Sequence, residues 1–126
     1  MSIFGVGIDI VQIERMERSI DKHGEKFINK ILHPNEVVLI DSLKNKARYL
    51  AKRFAAKEAF AKALGTGIVE GVTLPRIEIV NDEQGKPLIC LHGDTKSKIE
   101  EKGVNHIFLS ISDEKEYAVA QVILET

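Results

Sequence analysis

The apolar positions change period several times along the chain, and each change predicts an element. Ile3 to Val11 is β-branched and nearly continuous, which predicts a buried strand. Gly5 and Gly7 inside it predict that another element packs close to its backbone. From Ile13 the spacing becomes helical. Ile13, Met16 and Ile20 share a face, so Ile13 to Lys22 reads as an amphipathic helix stopping near Gly24. Glu25 to Lys30 reads as a second helical piece. His33-Pro34-Asn35-Glu36 reads as a further helix start, followed by Val37, Leu39, Ile40 and Leu43.

Lys46 to Leu64 carries the strongest helical pattern. It is rich in Ala, Lys, Arg and Leu, holds no Gly or Pro, and ends at Gly65-Thr66-Gly67. Beyond it the chain is β-rich. Val72 to Val80 is expected as a strand with Pro75 at an edge or bulge, turning at 81–85 into Pro87 to His92. Thr95 to Lys102 is expected as a short helix ended by Gly103. His106 to Ser112 and Tyr117 to Leu124 are expected as a last hairpin. The sum is an α+β domain, with a small, mostly antiparallel sheet packed on a long helix.

Composition narrows the class. The chain of 126 residues is one domain by length, 1–126, with 44% hydrophobic and 29% charged residues. Lys+Arg 18 against Asp+Glu 19 gives a net charge of −1, which argues against a basic nucleic-acid binder. The single cysteine, Cys90, excludes an internal disulfide or a multi-cysteine zinc site. No apolar run approaches the ~20 residues of a membrane span, and Met1-Ser2-Ile3-Phe4-Gly5 lacks a basic signal-peptide region. A cytoplasmic domain is the expectation.

Two carboxylates sit where apolar residues belong. With Phe54 at zero on a helical wheel, Ala47, Leu50, Ala51 and Ala61 lie within roughly 60° of it, Glu58 at about +40° and Lys62 at about +80°. Glu58 then either pairs with Lys62 at i,i+4 or is a carboxylate held for a cation. Asp9 interrupts the first strand. It either caps the following helix or is a second ligand. Two carboxylates completed by phosphate oxygens and water suit Mg²⁺. Arg53 and Lys57 share one flank of the long helix, and Arg48 and Lys52 lie elsewhere on it. Both groups read as solvated charge, and the Arg48, Lys52 face is also a competing docking surface for an acidic partner. Gly65-Thr66-Gly67 is either a helix stop or a place where a ligand approaches backbone. It is not a P-loop. Arg15, Arg18 and Lys22 form a basic stripe, next to an acidic one of Glu14, Glu17 and Asp21. No serine elbow, histidine metal pair or reactive cysteine is apparent.

Several segments carry a family resemblance in order and spacing. They are Gly7-Ile8-Asp9-Ile10-Val11, the run from Arg53-Phe54-Ala55-Ala56-Lys57-Glu58 to Ala59-Phe60-Ala61-Lys62-Ala63, Gly65-Thr66-Gly67-Ile68, and Asn81-Asp82-Glu83-Gln84-Gly85-Lys86-Pro87. Together they resemble the short, stand-alone class of 4′-phosphopantetheinyl transferases, the bacterial holo-[acyl-carrier-protein] synthases. The resemblance spans essentially the whole chain. It departs in the last hairpin, where Asp113 follows Ser110-Ile111-Ser112 in place of a histidine common in the family. An acidic residue there is expected to hold water near the metal.

The resemblance implies Mg²⁺-dependent transfer of phosphopantetheine from CoA to a serine of apo-acyl carrier protein, releasing 3′,5′-ADP, for fatty acid biosynthesis. It implies Asp9 and Glu58 as metal ligands and Glu58 and Lys62 as catalytic groups. Arg53, Lys62, Gly65, Lys86 and Pro87 would contact CoA, and Arg15, Arg18 and Lys22 would dock the acidic carrier protein. It further implies a homotrimer with active sites between subunits. A non-catalytic CoA- or nucleotide-binding module is the alternative.

Overall fold

The computed structural model describes residues 1–69 and 71–126. The elements are β1 (Ile3–Gln12), α1 (Ile13–His23), α2 (Glu25–Ile31), α3 (Pro34–Ile40), α4 (Lys46–Leu64), β2 (Ile77–Asn81), β3 (Pro87–Leu91), α5 (Gly93–Glu101), β4 (His106–Asp113) and β5 (Tyr117–Glu125). An antiparallel sheet in the order β1-β5-β4 lies against α4, and β2 and β3 form a separate antiparallel hairpin. No described helix is long and apolar enough to cross a membrane.

The sheet is alternately patterned. On its inner side, Gly7 faces Val122, Asp9 faces Ala120 and Val11 faces Ala118. Val11, Ala118, Ala120, Val122 and Leu124 are buried there. The two glycines of β1 serve α4. A Cβ on Gly5 would stand 1.9 Å from the Ala63 carbonyl oxygen, and one on Gly7 would stand 1.9 Å from that of Ala59. Only hydrogen at these positions lets helix backbone lie directly on strand backbone. The contacted atoms are backbone and cannot rotate away. Gly7→Ala is therefore expected to lower Tm by well over 5 °C, since overpacking of this kind costs roughly 1–3 kcal/mol or more. A thermal melt checks this, and an unchanged Tm would mean that α4 shifts freely on the sheet.

Three expectations are corrected. Val72 to Val80 is not one strand. Leu74–Arg76 forms a 3₁₀ turn and β2 begins only at Ile77, because Pro75 fixes its φ and has no N–H to give a ladder. The fifth helix starts at Gly93, two residues earlier than expected, with His92 as N-cap. The largest correction concerns α4. Its buried surface is not a stripe centred on Phe54, which is only half-buried. Ala55, Ala56, Ala59, Phe60 and Lys57 are fully buried, and Arg53 is nearly so, the last two on the flank read as solvated charge. The sheet covers one side of the helix, and α1 to α3 and the β2–β3 region cover others. An amphipathic wheel fails for a helix covered in this way.

The outer face of the sheet is apolar and exposed. Val6, Ile8 (59% exposed), Ile10 (65%) and Phe108 (50%) stand on it, and Val6 and Phe108 both pair with Ile123.

Candidate active site

Asp9 and Glu58 come from the two elements that the glycines bring together. Asp9 points from β1 to the α4 side of the sheet, one alternation beyond Gly7. It does not cap α1, whose N-cap is Gln12 with no side-chain bond. Glu58 projects from α4, half-buried. Burial pushes its carboxyl above the ordinary value, and the Asp9 charge pushes it further. Lys62 and Arg15 pull it back. Two carboxylates thus face a shared space closely enough to oppose each other.

Lys62 resolves differently from the expected i,i+4 pair. Its Nζ donates to Asp9 Oδ1 at 2.9 Å and to the Ile8 carbonyl at 3.0 Å, and no ion pair with Glu58 forms. A cation therefore already sits on the Asp9 carboxylate. Half of this lysine side chain is exposed, so it is free to turn to an anion. Asp9 and Glu58 fit a magnesium ion. They offer two hard oxygen donors with an unfavourable mutual charge, and Mg²⁺ retains water and takes its remaining ligands from phosphate.

One turn beyond Lys62, Gly65 adopts φ 91° and its N–H bonds the carbonyls of Ala61 and Lys62. The helix-stop reading of Gly65-Thr66-Gly67 is met, since Gly67 N–H also returns to Ala61. A Cβ on Gly65 would meet open space, so its backbone is approachable from outside.

Arg53, Lys86 and Pro87 gather elsewhere. Arg53 is 5% exposed and its Nη2 donates to Asn81 Oδ1 at 3.2 Å. Asn81 pairs with Pro87 across the hairpin and its Nδ2 donates to the Gly85 carbonyl at 3.0 Å. Lys86 is exposed in the turn between them. Among the described residues no hydrogen bond or ion pair joins this group to Asp9, Glu58 and Lys62. Arg15, Arg18 and Lys22 are exposed along α1 as expected, and among the described residues only Arg18 forms an ion pair, with Glu14 at 3.7 Å. Asp113 ends β4. It accepts from Arg48 Nη1, with Lys52 Nζ 3.8 Å from its other oxygen, so it neutralises the Arg48, Lys52 face of α4.

The sequence reading missed the most buried charge cluster. Glu36 is fully buried. Its Oε1 accepts from Lys57 Nζ at 2.6 Å and from His33 N at 2.9 Å. Its Oε2 accepts from Ile79 N at 3.0 Å, with Arg53 Nε at 3.4 Å. Lys57 Nζ also donates to the Ile31 carbonyl at 2.7 Å. The guanidinium of Arg53 lies over the Tyr49 ring, 4.5 Å from its centroid. The cluster ties α3, α4 and β2 together and fixes the rotation of α4 that presents Glu58. The available signal was the spacing from His33 to Glu36, which is that of a capping box.

Comparison with known proteins agrees with this arrangement. The family model described as the 4′-phosphopantetheinyl transferase superfamily matches residues 5–122. A holo-[acyl-carrier-protein] synthase from Vibrio campbellii is 54% identical over 126 residues, covering 100% of both chains. The crystal structure of the synthase from Neisseria meningitidis superposes with a TM-score of 0.95 at 42% identity, covering 98% of this chain and 99% of that one. The synthase from Bacillus anthracis, solved in complex with CoA (3′,5′-ADP), gives a TM-score of 0.85 at 41% identity, covering 100% and 99%. The chain, with its carboxylate pair set between β1 and α4, belongs to the 4′-phosphopantetheinyl transferase superfamily.

Proposed function

We propose that this protein is a holo-[acyl-carrier-protein] synthase, which moves 4′-phosphopantetheine from CoA to a serine of apo-acyl carrier protein. The observation that carries the proposal is the Asp9–Glu58 pair with Lys62 beside it, in a chain alike over its full length to synthases of that name. The serine hydroxyl attacks the β-phosphorus of the CoA pyrophosphate. The P–O bond to the leaving phosphate breaks, and 3′,5′-ADP departs. Asp9 and Glu58 would hold Mg²⁺, which when bound supplies positive charge for the phosphate oxygens. Lys62 leaves Asp9 for a phosphate oxygen, placing a compact charge where negative charge accumulates. Glu58 is the base that receives the serine proton. The nucleophile is the partner's.

CoA would lie along backbone at Gly65 and reach Lys86 and Pro87, with Arg53 behind them through Asn81. The exposed outer sheet face supports active sites built between subunits, since a contiguous apolar face of that kind calls for a cover. A second and a third copy of this chain are the proposed cover, and light scattering at three chain masses tests it. The enzyme would act in the cytoplasm, in fatty acid synthesis. Apo-carrier protein incubated with CoA, Mg²⁺ and this protein should gain one phosphopantetheine by mass spectrometry. An unchanged mass would favour a binding module without catalysis.

Docking adds a prediction. Arg15 is close enough to Glu58 to lower its pKa, so the basic stripe of α1 begins at the metal site. An acidic helix lying on Arg15, Arg18 and Lys22 would bring its serine to Glu58. Exposed pairs are each worth ~0.2–1 kcal/mol, and reversal adds repulsion. Changing all three to Glu is expected to raise KM for carrier protein roughly 10- to 100-fold, with little change in KM for CoA. The wild-type KM should also rise with salt. Unchanged KM and salt response in the triple variant would place docking on another face.

A further inference from the structure

Away from Asp9 and Glu58, three residues distant in sequence converge on one point. His33 is the N-cap of α3, Glu78 lies in β2, and His92 follows β3 as the N-cap of α5. Glu78 Oε1 is 2.8 Å from His92 Nε2 and 3.8 Å from His33 Nδ1, and the three ligand atoms all lie within 4.8 Å of one another. Among the described residues this is the one group of three or more His, Cys, Asp or Glu side chains so placed. We propose that His33, Glu78 and His92 form a binding site for a first-row transition-metal ion of the zinc type, separate from the magnesium site.

The donor chemistry selects that class. Two imidazole nitrogens and one carboxylate oxygen are a common ligand set for Zn²⁺, whereas Mg²⁺ asks for oxygens. Bonds of about 2.0–2.2 Å to three donors require donor separations of roughly 3.2–3.6 Å, which the observed 2.8 and 3.8 Å bracket. Glu78 is 6% exposed, and it is held anionic. Hydrogen bonds from His92 and Asn35 and the nearby His33 outweigh its burial and lower its pKa. Its Oε2 accepts from Asn35 Nδ2 at 3.2 Å, which orients the carboxylate as a supporting amide does around a metal ligand. Lys57, whose charge interacts with Glu78, is engaged by Glu36.

Ligation needs two local adjustments. The imidazole rings stack at 4.4 Å with 22° between their planes, so one ring must tilt to aim its lone pair. His92 stands at a strand end with 38% of its side chain exposed and has room to do so. His33 Nδ1 accepts from Asn35 N at 3.1 Å and exchanges that cap bond for the metal. The exposed side of His92 leaves a fourth position for water. Bound metal would clip the start of α3 to the β2–β3 hairpin and so brace Glu36, Arg53 and Asn81.

Chelator-treated wild-type protein is titrated with Zn²⁺ by calorimetry in several millimolar Mg²⁺, which occupies the hard oxygen site. One equivalent of zinc should bind, and zinc should raise Tm. His92→Ala and His33→Asn should each weaken binding at least 30-fold and abolish the Tm shift. His33→Asn retains an N-cap acceptor, so it separates loss of a ligand from loss of the helix cap. Cobalt(II) should give visible absorption bands in wild type that His92→Ala lacks. Absence of a stoichiometric zinc site overturns the proposal. So does equal zinc affinity in wild type and both variants, since exposed His23, His106 or Cys90 would then account for the binding.

Discussion

Asp9→Asn and Glu58→Gln should each lower kcat/KM by roughly 10²-fold or more, corresponding to about 3–4 kcal/mol of lost transition-state stabilisation. Both substitutions keep shape and remove one charge from the pair facing across β1 and α4. The structure adds a sign that separates this from unfolding. The Glu58 carboxyl has a folded pKa above its unfolded value, because of burial and Asp9. Between those two values the folded state binds more protons, so this group's contribution to stability falls as pH rises through the window. At neutral pH without metal, Glu58 is a net liability. Glu58→Gln should therefore hold or raise Tm while activity collapses. A drop in Tm would mean that Glu58 is structurally paired, and near wild-type turnover in saturating Mg²⁺ would remove the metal-site reading. Lys62 gives an independent check. Its bond to Asp9 would compete with a metal there. Lys62→Met should tighten Mg²⁺ binding several-fold in the absence of CoA, yet lower kcat/KM. Weaker Mg²⁺ binding in that variant would contradict the competition.

Lys57→Met should destabilise the fold by about 3–5 kcal/mol, although burial already disfavours the lysine's charge. Lys57 falls from 10.5 to about 8, because the attraction of Glu36 restores only part of what burial removes. The lysine alone is thus unfavourable as an ammonium. The cost of removing it comes from Glu36, a fully buried carboxylate left with two backbone N–H groups and Arg53 Nε at 3.4 Å. Converting both partners, as Glu36→Gln with Lys57→Met, should recover most of the loss, because no unpaired charge remains. Urea unfolding of the two single variants and the double variant measures this. If Lys57→Met is neutral, Arg53 and the backbone suffice for Glu36. The pH dependence runs opposite to that of Glu58. Between about pH 8 and 10.5 the unfolded chain holds the proton that folded Lys57 has released, so stability from this group rises with pH. Lys57→Met should flatten that rise.

Much of the architecture is local enough to be read from residue order. The amphipathic face of α1, the glycine stop at Gly65 and the close approach at Gly5 and Gly7 each depend on spacing or on the absence of a side chain. The position of Asp9 and Glu58 in apolar elements is also visible there, because a carboxylate among apolar neighbours is anomalous wherever the chain folds. Pairing of charges is not visible in that way. Lys62 bonds Asp9, 53 residues earlier, rather than Glu58 one turn away. Lys57 and Arg53 look like a solvated flank until α3 places Glu36 on them, 21 residues upstream of Lys57. His33, Glu78 and His92 meet only when α3 and the hairpin dock. The sequence by itself determined the order of elements and the two anomalous carboxylates, since hydrophobic period and backbone sterics act within a few residues. The tertiary structure alone decided which charges are buried and with whom, since desolvation and Coulomb attraction depend on distance in space.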